Sequence, residues 1–358
     1  MEHHEISLQH LNFLTYLAQP VSLICVQTLY RPQLLLLLLL LSQFHSMTGE
    51  FITCWFIYTG IINCRHDAEF RRQHKLSLSI LKEFGFGKDI MEERIQSEVS
   101  ELLQQVRDVK SAALCPDTAV TSCVLNVIVS ILFGHRMDDK AIGELGRVTH
   151  SLLHGLSDMF PIDVFPLLLF LPKMHRAFAI ATDFHNQLFH IITSSIETAD
   201  EDSFVRYYMN REGCNLDREQ LEYIVRDLII AGTETSTSTL LWALVLLAGH
   251  DGQSVQEHMW KEIDSQVPRG RLPSLADRSH IPFVQATILE VMRIKTVVPL
   301  SVRHWTSQDT AVGGYFIPAN TMASNSHVIC FIVSTLFVIL LGYVIFVVIV
   351  FKNCSNNT

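Results

Sequence analysis

The chain is short of positive charge. Its 358 residues carry 27 Lys and Arg against 36 Asp and Glu, a formal net charge of −9. A general nucleic-acid binder needs a basic face, and this balance argues against one. Zinc-site spacing is also missing. The eight cysteines, Cys25, Cys54, Cys64, Cys115, Cys123, Cys214, Cys330 and Cys354, form no CxxC pair, which excludes a finger or ribbon framework and leaves reduced, mostly buried thiols as the expectation. The 17 histidines include no HExxH, so a zincin helix is excluded, and His3, His4 and His10 read as a solvated terminus. No internal repeat occurs, and the first 59 residues show no clear period.

Apolar character is concentrated at the two ends. Val328–Phe351 is 24 residues without a charge. As a helix it extends roughly 36 Å, enough to cross a bilayer core, and Lys352 with a polar tail closes it. It is expected to be a transmembrane segment, 328–351, followed by a polar tail, 352–358. The eight-residue run Leu34–Leu41 and the apolar stretch Phe51–Cys64 are short for a span.

From Gly60 the pattern is that of a helical globular protein. Helices are expected over Glu69–Phe84, Met91–Val106 and from Asp117 or Thr118 to Leu132, the last ended by Gly134. Pro161 and Pro166 should make a helix over Ser151–Phe170 stop and restart, and Phe178–Ala199 is again helical. A long central helix, from about Arg218 to Gly249, opens on a capping box of Asp217 and Gln220. Being apolar almost all round, it should run through the core. Val255–Val267 and Pro282–Lys295 follow, separated by a loop. Short strands are expected at Leu300–His304, Thr310–Val312 and Tyr315–Ile317, with Gly313-Gly314 as a turn. The fold class is mostly α with a small β-sheet, in one domain.

Two motifs carry the chemistry. Ala231-Gly232-Thr233-Glu234-Thr235 sits mid-helix and is rich in hydroxyl and β-branched residues, a poor helix sequence. Threonines that bond the carbonyl one turn back would break the helix locally and leave a groove with an acid beside an alcohol. The alternative is a helix that bends where another element crosses it. Glu290 and Arg293, three apart and flanked by apolar residues, read as a buried ion pair locking a helix to nearby backbone. The alternative is a surface i,i+3 pair.

In this order and spacing the residues resemble the cytochrome P450 monooxygenases, specifically the microsomal second family of animals, from about Gly60 to His327. Ala231–Thr235 is similar to the family's oxygen-activation motif [AG]Gx[DE]T, Glu290 and Arg293 to its ExxR, and Gly314–Pro318 to the strand that follows. The resemblance implies a partial P450 fold, a heme, NADPH–cytochrome P450 reductase as electron donor, and oxidation of an apolar small molecule with O2. It implies that Thr235 steadies iron-bound oxygen and Glu234 delivers protons. Glu290 and Arg293 clamp the fold, His304 binds a heme propionate, and Ala231, Val298 and Leu300 line the substrate cavity. It further implies an endoplasmic reticulum membrane location with the globular part facing the cytosol.

The chain departs from the family in three places. The heme loop FxxGxRxCxG does not occur, so no proximal cysteine is assigned as metal ligand. The thiolate supplies the push that cleaves the O–O bond, and without it monooxygenation should fail. WxxxR is replaced by Phe70 and His74, with His74 left as the candidate propionate partner. Residues 1–59 do not resemble the family's anchor and first helices. The alternative readings are a membrane-anchored, non-catalytic P450 fragment acting as a decoy, and a mispredicted or misspliced product.

Overall fold

A computed structural model describes residues 60–323, apart from 63, 65, 84–88, 109–114, 165–169, 214–216, 250–251, 299–303 and 320. The N-terminal segment 1–59, Leu300, the apolar run 328–351 and the tail 352–358 lie outside the described residues. Two units are distinguished, 1–57 with 158–178 and 58–157 with 179–358. In the first, the described residues are the end of one helix and the start of the next. The architecture below is that of the second.

Nine α-helices occur among the described residues: α1 Ala68–Glu83, α2 Asp89–Asp108, α3 Pro116–Phe133, α4 Asp139–Val164, α5 Pro172–Glu197, α6 Phe204–Glu212, α7 Arg218–Ala248, α8 Gly252–Gln266 and α9 Pro282–Ile294. A 3-10 turn, Leu275–His280, lies in the loop before α9. Four short strands follow: β1 His304–Trp305, β2 Thr310–Val312, β3 Tyr315–Ile317 and β4 Met322–Ala323. They form two separate antiparallel pairs, β1 with β4 and β2 with β3, rather than one sheet.

The two apolar helices α3 and α7 organise the core. Each is long and apolar enough to cross a membrane by composition, yet both contribute to two buried clusters within the fold. Val120, Val124 and Val127 of α3 pack with α2, α8 and α9, and the C-terminal half of α7 joins them through Leu240 and Leu247. Leu125, Val129 and Leu132, on the other side of α3, pack with α4, α5 and α6, and the N-terminal half of α7 joins them through Leu221, Ile224 and Ile229. The central helix therefore passes from one core into the other.

Four expectations are corrected. α3 begins at Pro116 with Cys115 at its N-cap, not at Asp117 or Thr118. Proline at the first helical position has no amide to leave unpaired; the end at Gly134, φ 90°, is as expected. The stop and restart expected over Ser151–Phe170 falls between Val164, where α4 ends, and Pro172, where α5 begins, rather than at Pro161, which α4 runs through; Pro166 lies outside the described residues. Only half of the Asp217 capping box forms. Asp217 accepts from the Gln220 amide at 3.1 Å, but the Gln220 side chain turns away to Gly60 and Gln73. Finally, the Ala231–Thr235 segment does not break α7, which is helical from Arg218 to Ala248. α6 and β4 were not anticipated. α6 is nine residues long, too short for a period to stand out.

Candidate functional site

Along the C-terminal half of α7, Ala231, Thr235, Ser238, Trp242 and Val245 recur at helical spacing and share one stripe. Ala231 is exposed, Thr235 and Ser238 are half-buried, and Trp242 and Val245 are 40% and 59% exposed. On α9, Leu289 and Ile294 are 58% and 49% exposed. Lys295, the C-cap of α9, places its Nζ 4.3 Å from the Trp242 ring centroid and ties the two helices together. Of the first motif, Ala231 and Thr235 lie on the α7 stripe.

Within the first motif each residue has a separate task. A Cβ on Gly232 would come within 2.9 Å of Ile128 Cδ1, so the glycine lets α7 press against α3. The hydroxyls of Thr233, Thr235 and Thr239 donate to the carbonyls of Ile229, Ala231 and Thr235 at 2.6, 2.7 and 2.9 Å. The back-bonding expected from the sequence is present, and the ladder survives it. Glu234 and Thr235 take different sides of α7, the Thr235 hydroxyl bonding the Ala231 carbonyl. Consecutive helix positions differ by about 100° around the axis, and Glu234 faces α4, with its Oε1 3.6 Å from His150 Nδ1. His154, one turn on, meets the His150 ring edge-on with centroids 5.5 Å apart.

The second motif corrects the expectation of a buried clamp. Arg293 donates from Nε and Nη2 to the two carboxylate oxygens of Glu290 at 2.7 and 2.6 Å, but the side chains are 70% and 52% exposed. The hydrogen bonds from Arg293 hold the Glu290 carboxyl below its usual range. Val284, Ile288 and Val291 take the buried side of α9, which leaves Glu290 and Arg293 on the outer side, as helical spacing requires. His304 is exposed at the start of β1 and Val298 is half-buried. His74 is exposed and stacked on Phe70, centroids 5.5 Å apart.

The family model for cytochrome P450 matches residues 32–329, 298 of the 358 positions. This chain belongs to the cytochrome P450 family. It is similar to cytochrome P450 2U1 of Homo sapiens, 29% identical over 80% of this chain and 58% of that protein. It also resembles 2U1 of Rattus norvegicus, 31% over 74% and 52%, and 2H1 of Gallus gallus, 32% over 74% and 56%. It thus spans little more than half the length of these microsomal second-family relatives. The family's model begins at 32, upstream of Gly60, where the resemblance of single motifs starts.

P450 membership implies heme, and the described residues test that group's ligand. Of the described cysteines, Cys115 is exposed at the start of α3, Cys64 is half-buried and Cys123 is buried within α3. Burial pushes the Cys64 thiol up to about 11 and the Cys123 thiol up to about 12, the protonated form that does not ligate metal. None of the three belongs to α7 or α9. The exposed Trp242 and Val245 on the α7 stripe suit an apolar group, but the described cysteines do not fit a thiolate-bound one.

Sequence reasoning missed a buried polar junction in this P450 chain. Asp227 Oδ2 accepts from the amides of Ile61 and Ile62 at 2.7 and 2.9 Å. Its Oδ1 accepts from Nε and Nη2 of Arg226 at 3.0 and 2.6 Å. The guanidinium lies 4.8 Å from the Tyr223 ring centroid. Gly60, φ 79°, makes room, since a Cβ there would fall 2.2 Å from Asp227 Oδ2. The signal was available: Arg226-Asp227 is a charged pair inside an otherwise apolar helix, and such charges are kept only when partnered.

Proposed function

We propose that this chain carries the oxygen-facing side of a heme-dependent monooxygenase that oxidises apolar organic molecules with O2 and reductase-supplied electrons, and that residues 1–358 do not by themselves complete that reaction. The observation that carries the reading is the α7 stripe, where Ala231 and Thr235 share one side of the helix with the exposed Trp242 and Val245. Such a surface excludes water from whatever packs on it and binds by area. Thr235 presents a hydroxyl beside it. Glu234 stands on the adjoining side of α7, from which a proton reaches the stripe only through a change of rotamer or a bridging water.

The incompleteness rests on chemistry. A bound heme would draw its power to cleave O2 from a cysteine thiolate, the motif FxxGxRxCxG that would hold it does not occur in residues 1–358, and burial raises the Cys64 and Cys123 thiols rather than favouring their thiolates. Reduced, CO-treated protein comprising residues 1–358 is expected to lack the absorbance band that gives the family its name, and that band at stoichiometric heme would overturn the proposal. Electron supply by NADPH–cytochrome P450 reductase is supported by exposed Arg71, His74, Lys75 and Lys82 on α1, a basic stripe suited to an acidic partner.

We place the chain at the endoplasmic reticulum membrane with residues 60–323 on the cytosolic side, attached through the charge-free run 328–351. Exposure of the Glu290–Arg293 pair favours a second reading, a membrane-attached, non-catalytic P450 fragment that occupies the reductase. Inhibition of a complete P450 by this chain, relieved by added reductase, would support it.

A further inference from the structure

His150-Ser151-Leu152-Leu153-His154 on α4 is the one place in the chain where two histidines stand four apart. That spacing puts two imidazoles on one helix face, as in a zinc-binding helix. The glutamate that a zinc protease carries after its first histidine is Ser151 here, so the pair suits cation binding rather than hydrolysis. The structure adds a third group from another helix. The His150 and His154 ring centroids are 5.5 Å apart, and Glu234 of α7 brings its Oε1 to 3.6 Å from His150 Nδ1. That distance is too long for a hydrogen bond. It is close to the edge of a tetrahedral zinc site, where bonds of about 2.0–2.2 Å set neighbouring N and O donors roughly 3.3–3.5 Å apart.

Both helices are seated on α3. A Cβ on Gly146, one turn before His150, would come within 3.2 Å of Leu125 Cδ1, and one on Gly232, two residues before Glu234, within 2.9 Å of Ile128 Cδ1. α4 and α7 thus press on adjacent turns of one support, which fixes the backbones that carry His150 and Glu234. Next to His154, a Cβ on Gly155 would come within 3.1 Å of Ala181 Cβ on α5, so the second histidine also stands on a seated turn. The side-chain ends are open to water. His150 and Glu234 are 63% and 37% exposed, and His154 is exposed, so a hydrated cation reaches all three. Among the described residues no three ligating side chains converge as they stand. The site closes when the exposed His154 ring turns about its χ angles, a rotamer change that surface side chains make readily.

We propose that His150, His154 and Glu234 bind Zn2+ between α4 and α7, through two imidazole nitrogens, one carboxylate oxygen and a water. The inference needs no heme and does not rest on the reading above. The test is histidine modification by diethyl pyrocarbonate, read residue by residue by mass spectrometry, on the chain of residues 1–358 freed of metal and titrated with zinc chloride. Zn2+ is expected to protect His150 and His154 together, at one midpoint. His135 is the control. It faces Asp200 Oδ2 at the same 3.6 Å but has no second histidine one turn away, and it should stay reactive at the zinc concentration that protects the pair. Glu234→Gln and His154→Ala should each move protection of His150 to at least about ten-fold higher zinc. Equal reactivity of His150 and His154 with and without saturating zinc overturns the proposal. So does protection of His135 in step with His150, which would mean that any histidine–carboxylate pair suffices. An unchanged midpoint in Glu234→Gln removes the carboxylate and overturns the site as a junction of two helices. The unsubstituted chain decides the first two outcomes whether or not a variant folds.

Discussion

Asp227 accepts four hydrogen bonds in the middle of an apolar helix while only 3% exposed. Replacing it by Asn removes the charge that balances buried Arg226, and breaking a buried pair by losing one partner costs about 3–5 kcal/mol. The denaturant midpoint of Asp227→Asn should fall accordingly, whereas Glu290→Ala should leave it in place because that pair faces water. A large loss from Glu290→Ala would restore the buried-clamp expectation. His185 supplies a pH test. Burial, and next the Arg226 charge, push its imidazole down to about 4, so it stays neutral in the fold while the unfolded chain takes up a proton near the ordinary value. The unfolded state then binds more protons, and stability is full above about 6.5 and declines as the pH falls toward 4. His185→Gln should flatten that part of the stability–pH curve. The residue types at the motifs were legible in the sequence. The directions of Glu234 and Arg293 were not, because they depend on which helix side faces a neighbour.

At the scale of elements, the sequence marked α7 by its apolar length and its Asp217 cap, and α3 by Gly134. Their mutual approach was not visible, since it depends on Gly232 meeting Ile128. This pair makes a sharp test. Alanine gains about 1 kcal/mol over glycine in helix propensity, but its Cβ would crowd Ile128 Cδ1, an overpacking of similar size. Gly232→Ala should therefore shift stability by less than about 1 kcal/mol alone, yet stabilise by about 0.5–1 kcal/mol when Ile128→Val supplies the room. Additivity in thermal unfolding would show that the two helices do not touch there. The expected stop falls after Val164 rather than at Pro161. A local rule weighs one lost hydrogen bond, while the structure weighs it against the packing of the whole helix.

For the molecule as a whole, the exposed large apolar side chains on α7 and α9 are expected to set its solution behaviour. Val245 and Leu289 are core-type residues left in water, 59% and 58% exposed, and exposed apolar surface of this kind favours self-association. Val245→Gln with Leu289→Gln should raise the monomer fraction in sedimentation while leaving the unfolding midpoint within about 1 kcal/mol of the parent, as for surface changes. A collapse of the fold would mean the face is covered. The sequence by itself determined family, helical class and the positions of both motifs, because spacing, caps and residue chemistry are written locally along the chain. Only the tertiary structure decided that Glu234 turns to His150, that the Glu290–Arg293 pair stands in solvent, and that Asp227 anchors residues 60–62. Burial and partnership are set by segments far apart in sequence, and no local pattern encodes which of them arrive.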